Sequence, residues 1–532
     1  MEEWRSRIGF AENRARVPCA FLVAAALLFG LSGAAAASGA DQAQVIEEQQ
    51  VAPRVVELTI GTSAFAAPTK VQVILPTGYD TEPTRQWPVT YFTAGTSNRY
   101  NSFNDALDGT NLTAGFPSII VSPDANSGYW SDWYNGGAFG PPMYETFVID
   151  QLIPLIDARF RTVADRSHRA IFGISMGGYG AMMLAARHPD LFAAAASLSG
   201  AVDSNLPANG SVLSLSSTFD GAPVDAIYGP RITQEVRWRG HNPVDLAENL
   251  DGLDLTVLTA NGTLNPEIGE GDDPNDALSC AVEKGVHQAG VNLHERLTKL
   301  GIDHEWKDYG AGCHSLQNFT REVTYAVGAL AETFSNPPAR PKEIDYRSIE
   351  PDFDVWGWSV KADPARALEF LRLRGSRTGV RLDGSGRTRI TTPAWFRGLK
   401  RVDVNGRPFS PKADGRLRFT VELGRAHTAQ QFTPGAARNM RSRRVSFEPH
   451  AVIRIVQARY RTGRLRVCAR SIGGGVPVAR IRARGAAARM RIGTRVGCSS
   501  IRVTGKPARI TITGRDRFGH PVRASAVLGF RT

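Results

Sequence analysis

At 532 residues the chain is too long for a single hydrophobic core, so two or three domains are expected, and its 42% hydrophobic and 21% charged residues are those of an ordinary globular protein. After residue 40 no apolar run is long enough to span a bilayer. The net charge of +12 is unevenly carried: residues 449–532 hold nineteen Arg or Lys and one acid, Asp516, which leaves the rest of the chain at −6.

The first forty residues have the makeup of a secretory leader. Arg5, Arg7, Arg14 and Arg16 precede the apolar run Ala20–Leu31, and small residues follow it through Ala40. An uncleaved anchor is the rival reading. Cys19 stands before the apolar run and would leave with the leader. The four remaining cysteines, Cys280, Cys313, Cys468 and Cys498, are an even number in an exported chain, which points to disulfides. Their spacing resembles no zinc site.

Between residues 41 and 335, strand-like and helix-like runs alternate. Val71–Leu75, Val89–Phe92, Ser118–Val121 and Ala170–Phe172 read as short apolar strands, Tyr144–Phe160 and Tyr179–His188 as amphipathic helices, and Leu191–Leu198 as a central strand. This alternation predicts a mostly parallel sheet with helices on both faces. Asn336-Pro-Pro-Ala-Arg-Pro341 reads as a linker. Beyond it the helix signal is confined to Pro364–Leu371, and alternating segments such as Arg387–Thr392 and Arg416–Val421 predict antiparallel strands. A second break falls near Gly435–Pro449. Two small sandwich-like β domains are expected, over 336–448 and 449–532, the last immunoglobulin-like, strongly basic, and with arginine on its polar face.

The chemistry centres on Gly173-Ile174-Ser175-Met176-Gly177. A G-x-S-x-G motif between an apolar strand and a helix holds its serine on a sharp turn at the carboxyl end of the sheet, beside a helix N-terminus that favours developing negative charge. The base expected for Ser175 is His314, in Tyr309-Gly-Ala-Gly-Cys-His-Ser315, after the strand-like His304–Asp308 and before a helix. That order, serine before histidine, suits α/β-hydrolases. His188 sits at the far end of the helix after Ser175 and reads as structural. The acid that would orient the imidazole is not decided by spacing: Glu267, Glu270, Asp272, Asp273 and Glu283 all follow the strand Leu255–Leu258.

Residues 55–335 resemble the esterase branch of the α/β-hydrolases that includes esterase D-like enzymes and mycolyltransferases. The resemblance is carried by Tyr129-Trp-Ser-Asp-Trp-Tyr134, the stretch Gly173–Gly200 around the serine, Asn261-Gly-Thr263 and Gly312-Cys-His-Ser315. It implies an α/β-hydrolase fold and Glu283 as the acid, with Asp273 as second choice. It also implies oxyanion donors at the backbone N–H of Met176 and Thr96. Where mycolyltransferases carry an aspartate and an arginine beside the oxyanion loop, this chain has Ala94 and Ser97, and Leu316 replaces the tryptophan usual two residues after the histidine. Those departures argue against transfer to trehalose and for a broader esterase. Trp130, Trp133 and Tyr134 are candidates for contacting an acyl chain or sugar ring, against the alternative of a packed aromatic loop that holds Asp132.

With Glu283 and His314 assigned to meet, Cys280 and Cys313 become bridging partners, which leaves Cys468 for Cys498. The expectation is a secreted or cell-envelope serine esterase acting on acylated carbohydrate or lipid, without metal or organic cofactor. The alternatives are an acyltransferase of the mycolyltransferase type and a non-catalytic surface protein. The basic C-terminal domain suggests an anionic envelope polymer as partner, with no nucleic acid expected.

Overall fold

The computed structural model describes residues 43–134 and 142–528. The expected leader lies outside the described residues. Nine strands form one sheet: β1 (Gln44–Ala52), β2 (Val55–Gly61), β3 (Thr69–Ile74), β4 (Val89–Thr93), β5 (Ile119–Pro123), β6 (Arg169–Ile174), β7 (Ala194–Leu198), β8 (Asp254–Thr259) and β9 (Glu305–Asp308). Their order is β1-β2-β3-β5-β4-β6-β7-β8-β9. Strands β4 to β9 run parallel, while β1, β2 and β3 join antiparallel at one edge, through β5. Strands β4 to β7 are buried along their whole length, which is why they read as unbroken apolar runs. Strand β1 is polar and mostly exposed, as suits an edge, and carries no apolar periodicity that would have betrayed it.

Three helices position the site: α1 (Met176–Arg187), which packs on β6 and β7, α2 (Asp276–Leu300), on β8, and α3 (Leu316–Ser335), on β7 and β8. The stretch Tyr144–Arg159 is helical as expected but widens into a π turn over Phe147–Leu152. Pro154 follows two residues after it. A proline inside a helix removes one donor and crowds the carbonyl four residues earlier, and the wider turn accommodates both effects.

Two further apolar cores follow the first. One, built on Leu371, Trp358 and Phe447, fills the space between a six-stranded and a four-stranded antiparallel sheet over residues 344–449. The other, built on Leu465, Ile481 and Ile512, lies between three-stranded and four-stranded sheets over residues 452–527. Along Arg464–Ile472 exposed arginines alternate with buried Leu465 and Val467, the pattern of a half-buried strand. The helix expected over Pro364–Leu371 does not form. Asp363 caps a turn there by accepting from the amide of Ala365 (3.0 Å), Arg366 and Glu369 pair in the interior, and Leu371 already begins a strand.

The first of these β units is bonded to the hydrolase sheet through Tyr346, whose hydroxyl donates to the carbonyl of Arg187 (2.6 Å). Arg187 itself spans Glu145 (2.7 Å) and Glu350 (2.8 Å). Arg187 ends α1 while Ser175 precedes it, so this contact lies about 18 Å along the helix from the serine. Among the described residues no helix is long and apolar enough to cross a membrane.

Candidate active site

Ser175 sits between β6 and α1 with φ 59° and ψ −120°, a conformation that costs a non-glycine residue roughly 1–3 kcal/mol. Its neighbours make the turn possible. A Cβ on Gly177 would fall 1.8 Å from the carbonyl oxygen of Thr93, and one on Gly173 would fall 2.1 Å from Thr93 Oγ1. The Thr93 hydroxyl in turn donates to the carbonyl of Gly177 (2.7 Å), which fastens the end of β4 to the serine turn. A Cβ on Gly178 would lie 2.8 Å from Gly200 Cα, so the small residues of this run let α1 press against the chain leaving β7.

The loop Thr93–Ser97 therefore lies over the serine. A Cβ placed on Gly95 would stand 3.5 Å from Ser175 Cβ. Thr96 is half-buried at this loop, Ala94 is buried and Ser97 is exposed. Met176 is the first residue of α1, where backbone amides have no partner within the helix.

His314 occupies a loop held from several sides. Gly312 donates to the carbonyl of Thr263 (2.6 Å), Gly262 donates to the carbonyl of Gly312 (3.0 Å), and His314 donates its amide to Ser279 (3.2 Å). Gly312 has φ 153°, and a Cβ there would come within 2.3 Å of the Arg321 guanidinium. The disulfide Cys280–Cys313 ties the same loop to α2, and Cys468–Cys498 closes the last β unit, both as expected. Glu270 gathers this region: its carboxylate accepts from the amides of Asn265 (2.9 Å) and Cys313 (2.9 Å) and from the Ser315 hydroxyl (2.5 Å).

The imidazole Nδ1 of His314 is 2.7 Å from Oε2 of Glu283, and the Phe319 ring meets the imidazole edge-on. Glu283 is fully buried on α2. Its Oε1 accepts from Ser199 Oγ (2.6 Å), Thr259 Oγ1 (3.1 Å) and the amide of Ala260 (2.9 Å). Burial would raise its pKa, but the hydrogen bond and charge of His314, with Ser199 and Ala260, outweigh it and hold the carboxyl below its ordinary value. Asp273 is exposed and bonds its own turn, accepting from the Asn275 amide (2.8 Å).

Behind this pair stands a second carboxyl. Glu322 of α3 is fully buried, and its Oε1 lies 3.0 Å from the same Ser199 hydroxyl. Burial, then the Glu283 charge, push its pKa well above the ordinary value. A neutral Glu322 can donate to Ser199 while Ser199 donates to the ionised Glu283.

The aromatic candidates are placed differently from a substrate-facing surface. Trp130 is fully enclosed and Trp133 is 3% exposed. Their ring N–H groups donate to the carbonyls of Ala94 (3.3 Å) and Gly128 (3.0 Å). Trp130 fits against α1 only because residue 180 is glycine, where a Cβ would fall 2.2 Å from its ring. Asp132 accepts from the amide of Thr146 (3.0 Å), so this is a packed loop holding a helix start. Tyr134 is half-buried, with the Arg237 guanidinium 5.3 Å from its ring centre. His188 is structural, bonding Glu145 at 2.7 Å.

A mostly parallel sheet with flanking helices, carrying a strained serine at a strand-to-helix turn, defines an α/β-hydrolase. The family model described as "Putative esterase" matches residues 62–330, and the chain belongs to that family. Esterase Rv1288 of Mycobacterium tuberculosis is 32% identical over 275 residues, which cover 51% of this chain and 58% of that protein. The chain thus spans little more than half the length of this relative. The diacylglycerol acyltransferase/mycolyltransferase Ag85B of Mycobacterium leprae is 29% identical over 228 residues, 40% of this chain and 67% of that protein. The crystal structure of Mycobacterium tuberculosis MPT51 aligns with 52% of this chain and 97% of its own at 20% identity and a TM-score of 0.43.

Ser199, Thr259 and Glu322 escaped the sequence reading, while Glu270, weighed there as an acid, holds the histidine loop instead. Ser199 and Thr259 stand at strand ends among apolar residues. Glu322 carries the one signal available, an acid on the face of α3 that also buries Val323, Ala326 and Leu330.

Proposed function

We propose that Ser175, His314 and Glu283 form a triad that cleaves carboxylic esters through an acyl-enzyme. The 2.7 Å contact between His314 Nδ1 and the buried Glu283 carboxylate carries this reading, because it fixes the tautomer whose Nε2 is free to take a proton. The imidazole accepts the Ser175 proton as Oγ attacks the ester carbonyl. The amides of Met176 and Thr96 receive the oxyanion, and the imidazolium protonates the departing alcohol. A second hydroxyl, deprotonated by the same imidazole, then takes the acyl group and regenerates the serine.

Two observations bear on substrate. Leu316 is 52% exposed two residues after the imidazole, and Leu278, 67% exposed, stands on the helix that carries Glu283. Exposed apolar side chains on the two helices that carry Glu283 and follow His314 suit the acyl portion of a lipid or acylated carbohydrate. The relatedness to mycolyltransferases favours transfer of the acyl group to a sugar hydroxyl over release to water, while Ala94 and Ser97 favour an acceptor other than trehalose. Export to the cell envelope or medium is part of the same proposal, resting on the leader-like first forty residues.

A fluorophosphonate probe should label wild type at Ser175, and Ser175→Ala should lose labelling and about 10⁶-fold in kcat, since serine and histidine act as a unit. Labelling of the alanine variant would overturn the nucleophile assignment. With an activated ester, a sugar acceptor that raises turnover and yields acylated sugar supports transfer, and turnover indifferent to every sugar supports hydrolysis.

A further inference from the structure

Asp403, His450 and His520 are distant in sequence and meet where the second and third cores adjoin. Asp403 lies on the strand Val402–Val404, His450 in the short connection between Arg441–Pro449 and Val452–Arg461, and His520 just before the strand Pro521–Val527. One ligand atom from each lies within 4.8 Å of the others. His450 Nε2 is 2.9 Å and His520 Nε2 4.0 Å from the same oxygen, Asp403 Oδ2. The two rings stack with centroids 3.6 Å apart and planes 11° from parallel, so both present the same edge to that oxygen.

The surroundings are arranged as around a ligand set. The outer nitrogen of His520, Nδ1, is 3.2 Å from Asp516 Oδ2. Asp516 is itself fixed by the amides of Ala451 (3.1 Å), Phe518 (2.9 Å) and His520 (2.9 Å). A carboxylate on the outer nitrogen holds the tautomer that leaves Nε2 available and makes it a better donor to a metal. Arg401 binds the other face of Asp403, 2.7 Å from Oδ1 and 3.1 Å from Oδ2. The side chains of His450 and His520 are 22% and 19% exposed, which gives an ion a path in and water a place in its coordination shell.

We propose that Asp403 Oδ2, His450 Nε2 and His520 Nε2 bind a divalent transition ion of the zinc class, which clamps the last β unit to the one before it. Two imidazoles and one carboxylate suit zinc, with water as fourth ligand, whereas calcium and magnesium take oxygen donors. Zinc bonds of about 2.0–2.2 Å place tetrahedral donors a little over 3 Å apart. His520 must therefore approach Asp403 by under an ångström, His450 must withdraw slightly, and the stacked rings must splay so that both Nε2 lone pairs point at one ion. When the ion enters, Nε2 of His450 gives up the proton it shares with Asp403, and the neutral imidazole carries its proton on Nδ1. Arg401 stays on Oδ1.

The test uses untagged full-length protein, stripped with a chelator and titrated calorimetrically with Zn²⁺. The expected result is one ion per chain and a rise in melting temperature on loading, with affinity falling by at least about a hundredfold in His450→Ala and in His520→Ala. The double variant His294→Ala, His304→Ala removes the other pair of touching imidazoles, 2.8 Å apart, and should bind as wild type does. A measurement on wild type alone guards against variants that misfold: Zn²⁺ should protect His450 and His520 from acylation by diethyl pyrocarbonate, read by peptide mass spectrometry. Absence of saturable one-to-one binding, binding retained in the His450→Ala, His520→Ala protein, or acylation of both histidines unchanged by Zn²⁺ would each overturn the proposal.

Discussion

Replacing Glu283 by glutamine tests the site most sharply, because every group that touches its two oxygens is a donor. Oε1 accepts from two hydroxyls and the Ala260 amide, and Oε2 accepts from His314 Nδ1. Glutamine keeps the shape but turns one oxygen into an NH₂ group. Facing Ala260, that group meets a backbone N–H that cannot turn away. Facing His314, it requires only that the imidazole move its proton from Nδ1 to Nε2. The second arrangement disturbs fewer groups, and it removes the lone pair that would deprotonate Ser175. A wrong tautomer in such a triad costs on the order of 10⁴ in kcat, about 5.4 kcal/mol of transition-state stabilisation. Asp273→Asn alters an exposed turn and should leave the rate within about twofold and stability within about 0.5 kcal/mol. The assay is kcat/KM on a short-chain p-nitrophenyl ester for both variants, with thermal melts to confirm folding. Glu283→Gln keeping more than about a tenth of the wild-type rate, or Asp273→Asn falling further than it, would refute the reasoning.

Glu322 gives a pH signature. The folded chain keeps a proton on Glu322 that the unfolded chain releases, so its contribution is whole below the ordinary glutamate pKa and is lost as pH rises toward the raised value. Glu322→Gln is always neutral and should gain stability over wild type by up to about 1.4 kcal/mol per pH unit across that window, read by urea unfolding at about pH 5 and pH 8. A margin that does not change with pH would mean that Glu322 is ionised in the fold. The disulfide Cys280–Cys313 closes a separation of 33 residues, worth about 3.7 kcal/mol in the chain-entropy model, and it also holds the histidine loop on α2. The double serine variant should therefore lose both melting temperature and rate, and a protein unchanged in both would show the bridge to be idle. The segment 449–532, with nineteen cationic side chains, should retain the chain on an anionic matrix at low salt. A chain ending at Pro449 should lose that retention and keep its activity on small esters, and equal retention of the two forms would remove the segment from any anchoring role.

The sequence by itself determined what depends on neighbours along the chain. Glycines at 173 and 177 around Ser175 announce a strand-to-helix turn, because only small residues tolerate the approach of Thr93, and the buried strands announce themselves as apolar runs. The two arginine-rich, alternating β units were legible for the same local reason. Tertiary structure decided what depends on convergence. Five acids after β8 were indistinguishable by spacing, and only the fold brings Glu283 to His314 and leaves Asp273 in solvent. Trp130 and Trp133 could equally line a site or fill a core until packing buried them, Trp130 against Gly180 and Trp133 beside Tyr144. Pro364–Leu371 had a helical pattern, but a strand claims Leu371, and pairing in a sheet outweighs weak local propensity. Glu322 sits beside Ser199, and His450 beside His520, because helices and strands far apart in sequence pack side by side. No periodicity within one segment encodes such a meeting.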